Sequence, residues 1–415
     1  MNHGPLPTDE QRLEGPGMRE FIAMMAALMA SNAVAVDAML PALPEIGASV
    51  GVAEENQRQL VVTFYLVGLG LAQLFYGPLS DRFGRRPVLT GSLLLYALFS
   101  LLAGLAGSFW MLLAARVLQG AAAAGSRVIA ISVIRDRFQG SKMAQTMSFI
   151  SIVFMLVPVL APSLGQLILA FAGWRTIFIA FAVYGIAVLS WALLRLPESL
   201  PLERRRPLSF SKVREAVGIT LTNPLSIGNT LSITLVMGAL FAFINSIQQV
   251  IFDVFKRPDL IGAVFASIAG PMALASYFNG RLVQGIGARR MSFYGLCGFV
   301  LLASLHLAVA GLVGEDLVLF VVLQALMMGS CGLIMGNLGS IAMQPMGHIA
   351  GTAASVQGLI TTVGGALIGL AIGQMFDGTT TPMLTGFVVC GLLSLLAALW
   401  ANRNGPEFDN GSGPR

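Results

Sequence analysis

The sequence predicts an all-α protein that crosses a lipid bilayer twelve times. Of its 415 residues, 56% are hydrophobic and only 11% are charged, a composition outside the range of soluble domains. The chain also contains a series of apolar runs of about 20 residues, the length that a helix needs to cross a hydrocarbon core about 30 Å thick. Because backbone polar groups in lipid must be paired within their own segment, these runs are expected to be helices rather than open strands.

The apolar runs define the spans in order along the chain. They lie at approximately 20–43, 59–79, 87–107, 109–131, 144–170, 175–195, 225–251, 260–282, 291–313, 316–339, 350–375 and 382–401. The polar interval 196–224 predicts a linker between an N-terminal six-helix bundle, 20–195, and a C-terminal six-helix bundle, 225–401. A faint repeat supports two related halves, since GPLSDRFGRR at 77–86 aligns with GRLVQGIGAR at 280–289.

The loops carry their basic residues asymmetrically. If the N-terminus is cytoplasmic, nineteen of the 25 Lys and Arg residues lie on the cytoplasmic side, and only four lie in the opposite loops: Arg58, Arg175, Lys256 and Arg257. The positive-inside rule therefore predicts that both tails, 1–19 and 402–415, are cytoplasmic. The net charge of +5 follows from this topology and gives no indication of nucleic-acid binding.

A short charged turn separates the second and third spans. Its glycines allow tight backbone geometry, and its charged side chains can form ion pairs in water that join helix ends. We predict that this turn is a conformational gate formed by Gly77, Asp81, Arg82, Gly84, Arg85 and Arg86. The alternative is a solvated loop that only sets topology.

Ionisable side chains deep in a membrane are costly and mark an ion or substrate pathway by default. Of the twenty acidic residues, Asp37 alone lies well within a predicted span. Asp37 and Arg116 of the fourth span each lie about six or seven residues from the same end of the bundle, roughly 9–10 Å deep. We predict that the two couple transport to protons, because burial and a nearby guanidinium both influence a carboxylate. The alternatives are a hydrated, helix-capping Asp37 and an Arg116 that snorkels to the headgroups.

The fourth span carries a stripe of small residues between two arginines. Arg116, Gly120, Ala123 and Arg127 lie at i, i+4, i+7 and i+11 on one face, and Gln119 borders them. The stripe predicts either close helix packing or the wall of a cavity. For Arg127, snorkelling to the membrane surface is the alternative to a contact with substrate.

Two further spans contain features of a transport pathway. In the fifth span Pro158 and Pro162 remove two backbone donors one turn apart and Gly165 permits close approach, which predicts a hinge. The seventh span offers aromatic rings and neutral amides suited to amphipathic ligands, although helix-packing amides are equally common. The predicted substrate cavity comprises Asn32, Gln119, Ala123, Arg127, Phe241, Asn245 and Gln248.

Several of these segments resemble the major facilitator superfamily. GPLSDRFGRRP at 77–87 is similar to the loop between its second and third helices, and RVLQGAAAAGSRVIAISVIRD at 116–136 to the fourth helix of its proton-driven members. PVLAPSLGQ at 158–166 is similar to the motif that distinguishes its antiporters. Together with DAMLPALP at 37–44, it is typical of the bicyclomycin/chloramphenicol-resistance branch. The resemblance implies the major facilitator fold, a monomer in the bacterial inner membrane, and alternating access.

The sequence also limits the kinds of enzyme to which the protein could belong and the energy sources that it could use. It has no GxxxxGK[ST] nucleotide motif, no HExxH and no CxxC, so we expect no catalytic residues, no metal and no cofactor, and we expect the proton gradient to supply the energy. Its partners would be a small-molecule substrate, protons and the lipid bilayer. The predicted function is proton-coupled export of small hydrophobic, neutral or zwitterionic compounds. The alternatives are export of one metabolite, such as an amino acid derivative or a siderophore, and a membrane sensor that does not transport.

Overall fold

The computed structural model describes residues 15–52, 54–138, 140–205, 210–314 and 316–404. Most of the predicted tails, 1–19 and 402–415, and residues 206–209 of the predicted linker lie outside the described residues. Within the described ranges the chain is helical and contains no strand. The helices are α1 Met18–Asp37, α2 Leu43–Ser49, α3 Leu60–Phe83, α4 Arg85–Gly104, α5 Phe109–Arg137, α6 Gly140–Phe171, α7 Arg175–Arg195, α8 Phe210–Thr222, α9 Pro224–Gln249, α10 Ile261–Ile286, α11 Ala288–Val313, α12 Leu317–Met343, α13 Ala350–Leu359, α14 Gly365–Gly373 and α15 Thr381–Asn404.

The helices confirm the predicted fold class. Eleven described helical segments are long and apolar enough to cross a membrane, and α6 contributes a further apolar stretch, Leu156–Phe171. In order, the twelve spans are α1 with α2, α3, α4, α5, α6, α7, α9, α10, α11, α12, α13 with α14, and α15. Large apolar side chains such as Trp110 and Leu164 remain exposed, as expected where lipid replaces water around the bundle.

Three spans depart from a continuous α-helix. The first ends as an α-helix at Asp37 and continues through the 3₁₀ turn Leu40–Ala42 into α2, because Pro41 and Pro44 cannot donate backbone hydrogen bonds to the preceding turn. The π-helical segment Val250–Val254 extends α9, and the π-helical segment Ile360–Gly364 joins α13 to α14. The predicted linker also contains a helix, α8, which packs against α9 and α13.

Glycines permit close helix crossings in both halves. A Cβ atom on Gly120 of α5 would overlap the backbone carbonyl of Tyr65 on α3. In the second half, a Cβ atom on Gly332 of α12 would lie 2.5 Å from the carbonyl oxygen of Met272 on α10. Only glycine fits such contacts, and the resulting backbone approach is typical of packed membrane helices.

The aligned glycines of the two halves adopt the same backbone conformation. Gly84, between α3 and α4, has φ +99° and ψ 158°, and Gly287, between α10 and α11, has φ +87° and ψ 144°. Positive φ at these positions favours glycine over any residue with a Cβ. We call the end of the molecule that holds these two turns the basic end, after the flanking residues Arg82, Arg85, Arg86, Arg289 and Arg290, and the opposite end the far end.

Candidate proton and substrate pathway

Asp37 lies at the last position of α1, near the far end. Its side chain is buried, and among the described acidic residues it is the one in the buried class. Within the described part of the chain, its carboxylate has neither an ion pair nor a hydrogen bond. Gly165 of α6 packs on the adjacent residue, so closely that a Cβ atom there would overlap the carbonyl oxygen of Ala38. The structure therefore brings the predicted proton carrier and the predicted hinge helix together.

Arg116 is completely buried in α5 and joins three helices. Its Nε donates to the carbonyl of Val61 at 3.0 Å, and its Nη2 donates to the carbonyl of Ala35 at 3.1 Å. Nη1 donates to Oε1 of Gln119 at 2.7 Å. The guanidinium also lies 4.4 Å from the ring centroid of Tyr65, a cation–π arrangement. Arg116 is therefore close to the α1 backbone two residues before Asp37, but it forms no ion pair with that carboxylate.

Three predicted cavity residues of the first half belong to the packed interior around Arg116. Gln119 donates from Nε2 to the hydroxyl of Ser100 at 2.7 Å, so both ends of its amide are hydrogen-bonded. Asn32 accepts from the hydroxyl of Tyr65 at 3.4 Å, and Ala123 is 1% exposed. Gln119 therefore contacts Arg116 directly, and Asn32 contacts Tyr65, whose ring lies against the guanidinium.

Arg127 has a different environment. It is exposed although its neighbours Ala123, Ser126 and Ala130 on α5 are buried. At 100° per residue, Arg127 lies about 180° around α5 from Leu118, which is exposed on the outward-facing side of the helix. Arg127 therefore reaches accessible space on the inner face of the first half, in the part of α5 nearer the basic end.

The predicted cavity residues of the second half lie on α9. Phe241, Asn245 and Gln248 are all buried. Nδ2 of Asn245 donates to the hydroxyl of Thr63 on α3 at 3.5 Å, which places this residue at the contact between the halves. Oδ1 of Asn245 and Nε2 of Gln248 have no hydrogen-bond partner among the described residues.

At the far end, four amide side chains join the two halves. This amide cluster consists of Asn56 and Gln59 from the first half and Gln249 and Gln374 from the second. Gln59 Nε2 donates to Gln249 Oε1 at 2.6 Å, and Gln249 Nε2 donates to Asn56 Oδ1 at 2.7 Å. Gln374 Nε2 donates to the carbonyl of Asn56 at 2.6 Å. No local sequence signal marks this cluster, because amides at the ends of spans are usually hydrated.

At the basic end, Arg85 is the centre of an ion-pair network. Its Nη1 donates to Asp81 at 2.6 Å and to the hydroxyl of Ser80 at 2.7 Å. Its Nε donates to Asp136 at the end of α5 at 2.9 Å. Arg85 is itself buried, so the network holds the α3–α4 turn against α5 with charge-assisted bonds.

Glu198, which follows α7, extends this network. Its two carboxylate oxygens accept from the backbone N–H of Arg85 at 2.9 Å and of Arg86 at 3.1 Å, the first residues of α4. A carboxylate at this position satisfies unpaired amides and complements the helix dipole. A Cβ atom on Gly84 would lie 2.6 Å from Glu198 Oε2, so the turn leaves space for this contact. Glu198 lies in the predicted linker 196–224, and no sequence motif indicates this contact.

The remaining predicted gate residues have different surroundings. Arg82 is exposed and stacks on the adjacent Phe83 ring at 5.1 Å, outside the Arg85 network. Gly77 faces α13 of the second half, where its Cβ atom would lie 3.8 Å from the Ser355 hydroxyl. Among the described residues, no group of three His, Cys, Asp or Glu side chains is placed to hold a metal ion.

Comparison with known proteins identifies the family. Residues 21–369 match the family model of the Major Facilitator Superfamily. The chain belongs to this superfamily. It is 29% identical to a bicyclomycin resistance protein homolog of Haemophilus influenzae, with 91% of this chain and 94% of that protein covered. It is 28% identical to the multidrug resistance protein MdtL of Escherichia coli (92% and 96% covered) and to the uncharacterized MFS-type transporter YdgK of Bacillus subtilis (94% and 96% covered).

Solved structures of major facilitator proteins share the fold. The human organic anion transporter MFSD10 superposes with a TM-score of 0.66 at 19% identity, covering 93% of this chain and all of that one. A D-xylose–proton symporter superposes with a TM-score of 0.68 at 14% identity, covering 94% and 98%. The protein is therefore a multi-pass membrane transporter of the major facilitator fold, and a transporter rather than an enzyme.

Proposed function

We propose that this protein is a proton-coupled antiporter that exports small, largely apolar, neutral or zwitterionic compounds by alternating access. Its relatives named for multidrug and bicyclomycin resistance support drug efflux as the class of activity. The observation that carries the proton coupling is the burial of Asp37 without a cationic partner in the described part of the chain.

The surroundings of Asp37 suggest how the coupling works. A buried carboxylate without a partner is costly to ionise, and the cost falls when water or a cation reaches it. Gly165 holds the proline-containing helix α6 against Ala38, next to the carboxylate. Movement of α6 about Pro158 and Pro162 would change the hydration of Asp37, so the protein could take up a proton in one conformation and release it in the other.

The amide cluster joins the two halves and fits one of the two gates that alternating access requires, whereas the Arg85 network joins helices of the first half at the opposite end. We place the basic end in the cytoplasm, with both termini on that side of the bacterial inner membrane, following the distribution of Lys and Arg. The amide cluster then closes the periplasmic end, and the Arg85 network lies at the cytoplasmic end. Residues 20–195 and 225–401 would move as two bundles of a monomer, and Arg127 would meet compounds that enter from the cytoplasm.

A transport assay in proteoliposomes tests this proposal. Asp37→Asn keeps the size and polarity of the side chain but cannot exchange a proton. We expect it to abolish efflux driven by a pH gradient while substrate binding remains measurable. Glu45→Gln is a matched control, because Glu45 lies on the neighbouring α2 and is exposed. This control should transport like the wild type.

Two results would contradict the proposal. Proton-driven efflux at the wild-type rate in Asp37→Asn would remove Asp37 from the coupling mechanism. Absence of proton-driven transport by the wild type across a panel of neutral, zwitterionic and cationic compounds would reject antiport itself.

A further inference from the structure

The second half contains a buried amide that the Arg85 network, the amide cluster and the proton pathway all leave unexplained. Gln324 lies on α12 and is 0% exposed, yet neither its Nε2 nor its Oε1 has a hydrogen-bond partner among the described residues. Buried polar groups are nearly always hydrogen-bonded, and an unsatisfied one carries a desolvation penalty. Both ends of the Gln324 amide are therefore free to bind a group from outside the protein chain.

The position of Gln324 corresponds to that of Arg116 in the first half. The side chain of Ser108 caps the N-terminus of α5 through Met111, and that of Asp316 caps the N-terminus of α12 through Leu319. Arg116 follows its capping residue by the same number of positions as Gln324 follows Asp316. The two halves therefore present a guanidinium and a neutral amide at equivalent places.

Their hydrogen bonding is opposite. Each of the three guanidinium nitrogens of Arg116 donates to an acceptor, from Val61, Gln119 and Ala35. Gln324 has none among the described residues and no donor to its own oxygen either. The first half thus uses this position to hold its helices together, whereas the second half leaves its hydrogen-bonding capacity unused.

Two amides on α9, each with one unsatisfied atom, lie near the depth of Gln324. The rings of Phe255, after α9, and Phe320, on α12, are 5.3 Å apart, so these ends of the two packed helices are adjacent. Gln324 lies one turn further into the bundle than Phe320, and Gln248 lies about two turns further in than Phe255. Nε2 of Gln248 and Oδ1 of the neighbouring Asn245 also have no hydrogen-bond partner among the described residues.

We propose that Asn245, Gln248 and Gln324 form a polar subsite for neutral substrates that carry both hydrogen-bond donors and acceptors, such as amides with hydroxyl groups. Two of the unsatisfied groups are NH₂ donors and two are carbonyl acceptors. A ligand with both kinds of group satisfies them together, whereas a lipophilic cation without N–H or O–H groups leaves them unpaired. This subsite rests on the proposed export function and specifies its substrate class.

Binding measurements with two probes test the subsite. Chloramphenicol is neutral and carries an amide and hydroxyl groups, whereas tetraphenylphosphonium is a cation with no hydrogen-bonding group. In Gln324→Leu, which removes the amide at similar volume, we expect the Kd for chloramphenicol to rise about tenfold and that for tetraphenylphosphonium to change less than about twofold. Gln248→Leu, a second variant in case the first does not fold, should show the same selective change.

A paired amide on the same helix provides the control. Asn337 Nδ2 donates to Asn279 Oδ1 and to the carbonyl of Leu333, both at 2.7 Å. Asn337→Leu should lower thermal stability without changing the ratio of the two dissociation constants. Gln324→Leu should not destabilise the protein, because it removes polar atoms that have no partner.

Three outcomes would overturn the subsite. The first is an equal loss of affinity for both probes in Gln324→Leu and Gln248→Leu. The second is an unchanged Kd for chloramphenicol in both variants, which would mean that the amides bind structural water only. The third is a wild type that binds chloramphenicol no better than tetraphenylphosphonium. None of these results rejects proton-driven export, which fails only if the wild type transports neither probe nor any other compound against a pH gradient.

Discussion

At the residue scale, Arg116 shows how a charged group deep in a membrane helix can serve the fold. Its donors reach two backbone carbonyls, on α1 and α3, and the Gln119 side chain on its own helix. The planar guanidinium suits this arrangement because its donors point in fixed directions, which an ammonium group does not reproduce. The geometry therefore favours a structural role for Arg116, and a direct electrostatic effect on Asp37 remains a separate prediction.

Truncation of Arg116 should destabilise the protein. Arg116→Ala removes three hydrogen bonds and leaves buried acceptors without a donor, so we expect a loss on the order of 3 kcal/mol in the free energy of unfolding. Thermal unfolding in detergent measures this as a lower midpoint temperature. Arg127→Ala on the same helix is the control, since its exposed side chain should contribute less than about 0.5 kcal/mol. Unchanged stability of Arg116→Ala together with a shifted pH profile of transport would instead favour electrostatic tuning of Asp37.

The sequence could indicate some site residues and not others, for a physical reason. A carboxylate such as Asp37 in an apolar run is costly, so its presence alone marks a candidate site. An amide such as Gln324 costs much less and resembles many helix-packing residues, so only its unsatisfied atoms in the structure distinguish it. Glu198 is recognised only through its contacts with Arg85 and Arg86, more than a hundred positions away in the chain.

At the element scale, hydropathy predicted the helices well because each span must satisfy its own backbone in lipid. Hydropathy predicted the structure less well where a segment need not pair all of its backbone hydrogen-bonding groups within itself. The first span stops being an α-helix at Asp37 because Pro41 and Pro44 follow it, although the side chains remain apolar. Helix α8 was missed because its sequence is too polar and too short to resemble a span, yet it packs against the ends of α9 and α13.

In the proposed transport cycle, the amide cluster is a gate at the contact of α3 with α9 and α14, and one substitution should weaken it. Gln59→Leu removes bonds to Gln249 and to the carbonyl of Gly373. At about 1 kcal/mol for each net hydrogen bond, the population of the far-end-open state should rise roughly tenfold or more. Spin labels at the exposed positions Glu54 and Asp377 should report a longer distance distribution.

Gln57→Leu is the matched control for this gate. Gln57 lies two positions away, and its side chain donates to Glu54 of the same turn at 3.5 Å rather than to a residue of the second half. Its label distances should equal those of the wild type. Equal distributions for Gln59→Leu and Gln57→Leu would show that the amide cluster does not hold the far end closed.

At the scale of the whole molecule, the two halves differ in charge although they share one architecture. The first half contains the buried Asp37 and Arg116. Among the described residues of the second half, the buried polar side chains include no Asp, Glu, Lys or Arg, and amides such as Asn245 and Gln324 are among them. In the proposed function, this difference gives the two halves separate roles. The first half suits proton coupling, and the second half suits recognition of neutral compounds.

This charge distribution predicts how transport responds to membrane potential. With one buried carboxylate carrying one proton, export of a neutral compound moves one net charge inward per cycle, whereas exchange for a monocation moves none. The membrane potential of proteoliposomes can be clamped with valinomycin and potassium. Export of chloramphenicol should accelerate when the compartment on the cytoplasmic side of the protein is negative. Export of tetraphenylphosphonium should not accelerate under the same potential. A potential of 100 mV is worth about 2.3 kcal/mol per charge, enough for a change of severalfold in rate. If chloramphenicol export is insensitive to potential while Asp37→Asn still abolishes it, a second ionisable group must move with Asp37, and the assignment of a single proton carrier to the first half is wrong.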